Sequence, residues 1–307
     1  MNILLDKDIE HIPMIVAINA IETFFNSAKL NKVVSPPRNS INTDKGGLTF
    51  TMGAEVNTTN TIGFRVYDTY PSENCDKQGT NTDQIVAVYS SQKSELKAVV
   101  IGSLLGAIRT AAIGGYAAKL MSNKSASTVC VIGAGLHAYH QIKAMLAVRN
   151  ITQINICSRT IKNGNALKKK LDSEINTNET LINVLNLECV EKSVKHADII
   201  ICATNSNKPV LKAKWIKNGA YIASIGPKFE NNHELPLDIL NRAIHAVSDA
   251  TEQLKSYPKK YFLDNLEKIK SLEYFNESDN NKAGYHLFLS TGRSGTEVIV
   301  ADYMNNH

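Results

Sequence analysis

No stretch of this 307-residue chain approaches the ~20 consecutive apolar residues that a membrane-spanning helix needs, so no span is expected. The opening residues, Met1-Asn2-Ile3-Leu4-Leu5-Asp6-Lys7-Asp8, place no basic segment ahead of a long apolar core. No signal peptide is expected from them, and the default location is the cytoplasm. Cysteine is sparse: five residues, at 75, 130, 157, 189 and 202, with no paired spacing. That excludes a disulfide frame and a cysteine-ligated zinc site, and no metal is expected. Cys130, Cys157 and Cys202 sit inside apolar runs and read as small buried hydrophobes in a reducing compartment. A cationic excess is nearly absent too. The net charge is +5, and its densest run, Lys168-Lys169-Lys170, is followed by Asp172 and Glu174. This is the pattern of a solvated helix face and not of a nucleic-acid footprint, although a mild positive bias suits a site that attracts anions. There is no internal repeat and no low-complexity tract.

What is present is an ordinary apolar content of 43%, enough for two cores, so two domains are expected. Residues 8–28 carry Ile12, Ile15, Ile18, Ile21 and Phe25 close to one helical face. From 47 to 101 the runs become short and β-prone, as in Gly63-Phe64-Arg65-Val66-Tyr67 and Gln84-Ile85-Val86-Ala87-Val88-Tyr89, with Gly, Asn and Pro turns between them. This predicts an antiparallel or mixed sheet. A long helix is expected from Ile101 to about Met121. From Ser127 strands alternate with helices: Thr128–Ile132, Ile154–Ser158, Ile182–Leu185, Ile199–Ala203, Tyr221–Ile225 and Ala246–Val247. That alternation predicts a parallel, doubly wound α/β sheet of Rossmann type. The polar stretch 255–283 reads as helix and loop, and the tail from Tyr285 to Asp302 as a strand followed by a helix.

The most informative motif is Thr128-Val129-Cys130-Val131-Ile132-Gly133-Ala134-Gly135-Leu136-His137-Ala138, a buried-strand run leading into G-x-G-x-x-A and then a helix. Gly133 permits the tight turn, Gly135 presents no side chain to a pyrophosphate, and Ala138 lets helix and strand approach. The backbone of Leu136 and His137 opens the helix, where free N–H groups and the helix dipole favour phosphates. His137 and His140 have no partner at metal spacing, so their rings read as packing or surface groups. A second strand ends at the right distance, which raises a weak motif to a strong one. That end carries Ser158-Arg159-Thr160 and no carboxylate. A 2′-phosphate suits two hydroxyls and a guanidinium, so NADP(H) is preferred over NAD(H), with NAD(H) as the other option.

With these residues in view, the chain resembles the ornithine cyclodeaminase/mu-crystallin family. Ser103-Leu104-Leu105-Gly106-Ala107-Ile108-Arg109-Thr110-Ala111-Ala112 and the glycine loop are similar to its central block. So are Ala197-Asp198-Ile199-Ile200-Ile201-Cys202-Ala203-Thr204, Pro209-Val210-Leu211, Ile225-Gly226, Glu234-Leu235 and Leu287-Phe288-Leu289-Ser290-Thr291-Gly292. The resemblance implies a homodimer whose Rossmann domain, here 109–283, is inserted in a mixed α+β substrate and dimerisation domain made of 1–108 and 284–307. It implies Thr110 near the pyrophosphate, and Ala203, Thr204, Ile225, Gly226, Ser290 and Gly292 about the cofactor. Arg38 and Arg109 take the places of substrate-carboxylate arginines. Arg65 stands where the family has lysine, keeping the charge but removing a group able to transfer a proton. Met52-Gly53 replaces a Met-Pro pair in the expected substrate region.

Counted without gaps from Gly226 to Glu234, Lys228 takes the place of the aspartate that ornithine cyclodeaminases use for the substrate amine. An ammonium there would repel a cationic substrate. The resemblance therefore implies an NAD(P)H-dependent imine reductase or amino-acid dehydrogenase acting on a small carboxylate-bearing imino or keto acid, with Lys228 and Arg65 as candidate catalytic groups. Four cations, Arg38, Arg65, Arg109 and Lys228, are expected around one pocket. Their mutual repulsion and partial burial are expected to draw the Lys228 pKa toward neutrality. The alternatives are a cyclodeaminase-type ammonia lyase and a non-catalytic NADPH-binding protein of the crystallin kind.

Overall fold

The computed structural model describes residues 1–44, 46–68, 84–175, 179–256, 260–275 and 283–307, so Cys75 lies outside the described residues. The chain divides into two compact units, 1–112 with 292–307, and 113–291.

The first unit contains β1 (Asn2–Leu5), α1 (Asp6–Ile9), α2 (Met14–Lys29), β2 (Val33–Val34), β3 (Asn39–Thr43), β4 (Gly46–Glu55), β5 (Thr61–Asp68), β6 (Gln84–Ser90) and β7 (Leu96–Ile101). The helix α3 (Leu104–Met121) begins in it. Its sheet runs β1-β7-β6-β5-β4-β2, with β3 also paired to β4. The alternation of the strands decides which residues meet. Thr49, Thr51, Gly63, Arg65, Val86, Val88, Ala98 and Val100 are on the buried side. This side packs against the C-terminal helix of the chain (Thr296–Asn305), where a Cβ at Gly63 would crowd Val298. The opposite side is apolar and open. Leu48, Met52, Ile62, Phe64, Ile85 and Ile101 are each at least 39% exposed.

The second unit holds β8 (Thr128–Ile132), α4 (Leu136–Val148), β9 (Gln153–Cys157), α5 (Ile161–Asp172), β10 (Leu181–Leu185), α6 (Val190–His196), β11 (Ile199–Cys202), β12 (Tyr221–Ser224) and the hairpin β13 (Lys228–Phe229) and β14 (Asn232–His233). It continues with β15 (Ala243–Ser248), α7 (Thr251–Ser256), β16 (Ile269–Ser271) and β17 (Tyr285–Leu289); the C-terminal helix Thr296–Asn305 is α8. Its sheet is parallel throughout, in the order β10-β9-β8-β11-β12-β17-β15-β16. The first five strands in that order reproduce the 3-2-1-4-5 start of a dinucleotide-binding sheet, with β17, the last strand of the chain, in the sixth place and the two mononucleotide halves meeting between β8 and β11. Residues 284–291, expected with the first domain, lie instead with the second unit, because β17 inserts between β12 and β15. All five residues of β17 are buried, as suits a strand covered on both faces. Arg149 closes the end of α3 by donating to the carbonyls of Ala118, Lys119, Ser122 and Asn123.

Candidate active site

The cradle at the carboxyl end of β8 is built by backbone. Gly133 has φ +120°, and its N–H reaches the Cys157 carbonyl at 2.9 Å. A Cβ at this position would collide with the Ala203 carbonyl, so only glycine keeps the turn against β11. Around Gly135, by contrast, no heavy atom stands within 4 Å of where a Cβ would be. This is open space beside the N-terminus of α4, where Leu136 and His137 are exposed in the first turn while Ala138 is fully buried. The N–H groups of a helix start, an open cradle and a helix dipole fit a dinucleotide pyrophosphate. Ala203 and Ile225 follow the ends of β11 and β12 and are held to their neighbours, Ala203 N–H to Ile132 O at 2.9 Å and Ile225 N–H to Cys202 O at 2.8 Å.

At the end of β9 the three expected cofactor residues differ in availability. The Ser158 hydroxyl is buried and donates to Thr160 O at 3.0 Å, so it is engaged in the turn. Thr160 caps α5 with its backbone. Arg159 is exposed and makes no ion pair among the described residues.

Lys228 opens β13 and is 6% exposed. Its ammonium donates to Gly226 O at 2.7 Å. Burial pushes its pKa down to about 8, against the pull of Glu234, Asp249 and Cys202. The expected direction is found, and of the two expected causes burial is the one that acts: the carboxylates Glu234 and Asp249 near it within its unit raise the value. Glu234, named in the sequence only as half of a Glu-Leu pair, is the group that reasoning from sequence missed. It is fully buried, and one oxygen accepts Thr204 N–H at 3.0 Å and Thr204 Oγ1 at 2.8 Å. The other accepts Ser224 Oγ and Gly226 N–H, both at 2.7 Å. One carboxylate thus ties together the loops that leave β11 and β12. Asp249 does the same at the next strands, accepting Thr291 N–H at 2.7 Å and Thr291 Oγ1 at 3.0 Å. Ser290, just before it, is buried.

Within the first unit, the arginines converge on an acid that the sequence did not single out. Arg65 Nη1 and Arg109 Nη2 both reach Glu297 Oε1, at 3.0 and 2.6 Å. Arg65 Nη2 also donates to Gln84 Oε1 at 2.5 Å, and its guanidinium lies 4.3 Å from the Tyr67 ring centre. Burial raises the Glu297 carboxyl, and Arg109 and Arg65 overcome that, so its pKa is lowered on balance. Arg38 Nη2 donates to Gly292 O at 2.7 Å. Gly292 has φ +78°, and a Cβ there would meet the guanidiniums of both Arg38 and Arg109. Glycine is what lets them close in. Of the four cations expected around one pocket, Arg65 and Arg109 share this buried carboxylate. Met52 is corrected as well. It is paired across the strands with Phe64 and lies on the open apolar face, one residue out of phase with Arg65. Thr110 belongs to this unit too, and its hydroxyl bonds the Gly106 carbonyl at 2.8 Å. Among the described residues no group of His, Cys, Asp and Glu could hold a metal ion, and no helix is long and apolar enough to cross a membrane.

A family model described as the ornithine cyclodeaminase/mu-crystallin family matches residues 2–280. An alanine dehydrogenase of Archaeoglobus fulgidus is 29% identical over 254 residues, covering 82% of this chain and 75% of that protein. The ketimine reductase mu-crystallin of Macropus fuliginosus is 26% identical over 170 residues, covering 55% of this chain and 51% of that protein, so the match spans about half the length of that relative. Among solved structures, the Thermococcus litoralis Delta(1)-pyrroline-2-carboxylate reductase in complex with NADH and L-proline superposes with a TM-score of 0.83. It is 23% identical and covers 100% of this chain and 97% of that one, a likeness of fold.

Proposed function

The chain belongs to the ornithine cyclodeaminase/mu-crystallin family, and on that premise we propose that it is a nicotinamide-dependent oxidoreductase acting on the carbon–nitrogen bond of an α-imino or α-amino acid, of the ketimine-reductase or amino-acid-dehydrogenase type. The relatives named alanine dehydrogenase and ketimine reductase support the class. The observation that carries the choice of a reductase is Lys228: a buried amine, with its pKa drawn down to about 8, where a cyclodeaminase would need an acid.

Each part of the chemistry has a residue. The bound dinucleotide supplies the hydride. The guanidiniums of Arg38 and Arg109, oriented by Gly292 and Glu297, take the substrate carboxylate, for which planar paired donors are suited. Arg65, held by Glu297 and Gln84, contributes fixed charge and transfers no proton. Reduction of a C=N bond takes a hydride onto carbon and a proton onto nitrogen. The Lys228 ammonium gives that proton and is recharged from solvent. Exposed Arg159 supports a preference for NADPH over NADH. The open apolar face of the first unit's sheet supports a homodimer that covers it. The free, buried Cys130, Cys157 and Cys202 suit the cytoplasm.

Oxidation of NADPH and NADH over cyclic ketimines, pyruvate with amines, and dicarboxylic keto acids tests the reading. Turnover is expected with at least one of these, and Lys228→Met should lower it tenfold or more while affinity for the reduced dinucleotide stays. Tight dinucleotide binding without turnover across the panel would replace this reading with that of a binding protein.

A further inference from the structure

We infer that Lys228, with Glu234 and Asp249, forms a protonation site linked to the oxidation state of the cofactor, taking up a proton when reduced dinucleotide is bound and releasing it when oxidised dinucleotide is bound. This rests on the oxidoreductase reading above and adds a thermodynamic property that does not depend on the substrate.

The geometry is that of the second mononucleotide half of the sheet. Ligands of such sheets bind outside the carboxyl ends of the strands, across the point where the strand order reverses. Here that half is β11, β12 and β17. Their carboxyl ends are where the buried charges collect. Glu234 ties Thr204, after β11, to Ser224 and Gly226, at the end of β12. Asp249 holds Thr291, after β17. Lys228 is anchored on the carbonyl of Gly226, the same residue whose N–H binds Glu234. The carboxylates are locked in place by hydrogen bonds from backbone and hydroxyl groups. The lysine is the group of the three drawn toward neutrality, by burial.

The other titratable groups facing this hairpin have partners of their own. The Cys202 thiol, at the end of β11, is pushed up by full burial and stays protonated. Tyr261 is buried against the hairpin, where Phe229 pairs with it. The His233 ring is occupied with the Leu235 carbonyl at 2.6 Å and stacks on Phe262. Glu230 and Lys260 form an exposed pair of their own at 2.8 Å.

The consequence follows from charge alone. The oxidised nicotinamide ring is a cation and the reduced ring is neutral. A buried ammonium at this end of the sheet opposes the cation and tolerates the neutral ring, while the two carboxylates favour the cation. Protonated Lys228 therefore selects the reduced form, and neutral Lys228 the oxidised form. Linkage makes the effect reciprocal. In the proposed reduction the hydride leaves the cofactor for carbon as the Lys228 proton leaves for nitrogen, so one cation appears at the ring as another disappears at the lysine. The interior keeps its net charge through the step.

The test is the ratio of the dissociation constants of NAD+ and NADH, measured without substrate on the full-length protein from pH 6.5 to 9.5 by calorimetry or fluorescence (or the NADP+ and NADPH pair, if these bind more tightly). The ratio cancels titrations common to both forms. It is expected to fall about tenfold as the pH rises through 8, one pKa unit of coupling. Lys228→Met should hold the ratio flat at the low, alkaline value. Lys228→Arg, which stays charged, should hold it flat at the high, acidic value. The two variants err in opposite directions, so a general loss of structure cannot imitate the pair. A ratio that stays constant with pH in the unmodified protein overturns the inference and leaves the oxidoreductase reading standing. The same slope surviving in either variant also overturns it. Absence of dinucleotide binding overturns the oxidoreductase reading and this inference with it.

Discussion

Replacing Glu297 with alanine tests the arrangement of the first unit at its most heavily charged point. A single oxygen, Oε1, receives Arg65 at 3.0 Å and Arg109 at 2.6 Å, and the glutamate side chain is fully buried. Both guanidiniums are themselves nearly buried, at 7% and 4% exposure. Removing the acid leaves two desolvated cations facing each other. Losing one partner of a buried pair costs ~3–5 kcal/mol, and two stranded partners put the expectation at the upper end of that range. Glu297→Gln keeps the shape and an acceptor and loses the charge, so about 1.5–3 kcal/mol is expected. Urea denaturation gives the total, and hydrogen exchange of β5 and α8 shows whether the loss falls on the strands and helix that carry the pair. The pH dependence has a definite sign. Burial raises the Glu297 carboxyl, Arg109 and Arg65 lower it further, and the folded pKa ends below the ordinary 4.5. A depressed carboxyl contributes stability that is fully present above its unfolded pKa and is lost as pH falls through the folded one. The difference between the native protein and Glu297→Ala should therefore be flat from pH 8 to 5 and shrink in more acid solution. A loss under about 1 kcal/mol at pH 7, or a difference that grows on acidification, would refute the account.

Three other outcomes are expected. Arg159→Ala should erase most of any preference for NADPH, about tenfold or more in affinity, since a charge-assisted pair is worth ~1.5–3 kcal/mol; fluorescence titrations showing tighter NADH binding in the unmodified protein would exclude that role. Gly135→Val should leave the fold intact, because no atom lies within 4 Å of its Cβ position, while dinucleotide affinity drops at least tenfold; equal affinity would remove the pyrophosphate from this cradle. Phe64→Asp, in the middle of the open apolar face, should convert a dimer into a monomer by light scattering at micromolar concentration, and a dimer unaffected by the charge would put the interface elsewhere.

What the sequence disclosed and what it withheld follow from how far apart the interacting residues are. The cradle was legible because its parts are adjacent: a buried strand, a glycine forced by the Ala203 carbonyl, a glycine left open, and a helix start lie within eleven residues, Thr128–Ala138. For the same local reason β8 to β12 were each legible to within a residue of their ends, whereas of β15 only Ala246–Val247 was, and β16, in the stretch expected to be helix and loop, was not. The membership of β17 was not legible either, because four apolar residues about His286 announce a strand without naming its neighbours, and both neighbours of β17, β12 and β15, precede it by tens of residues. Met52 was placed in the substrate region by the family resemblance, yet strand alternation puts it on the face opposite Arg65, since α8 covers the side that carries Gly63 and Arg65. The acids were the hardest to see. Glu297 stands 232 residues from Arg65 and 188 from Arg109, and in sequence it is one of two acids, with Asp302, in a largely apolar helix. A local signal did exist, because an acid in a helix whose first eight residues except Tyr303 are buried needs a cation. The same reasoning applies to Glu234, followed by buried Leu235 and surrounded by hydroxyl-bearing strand ends. An unpaired buried carboxylate costs several kcal/mol, so each such acid in an apolar context is itself a prediction that donors converge on it. In both units the buried acid, more than the groups it pairs with, fixes where the polar side chains around it stand.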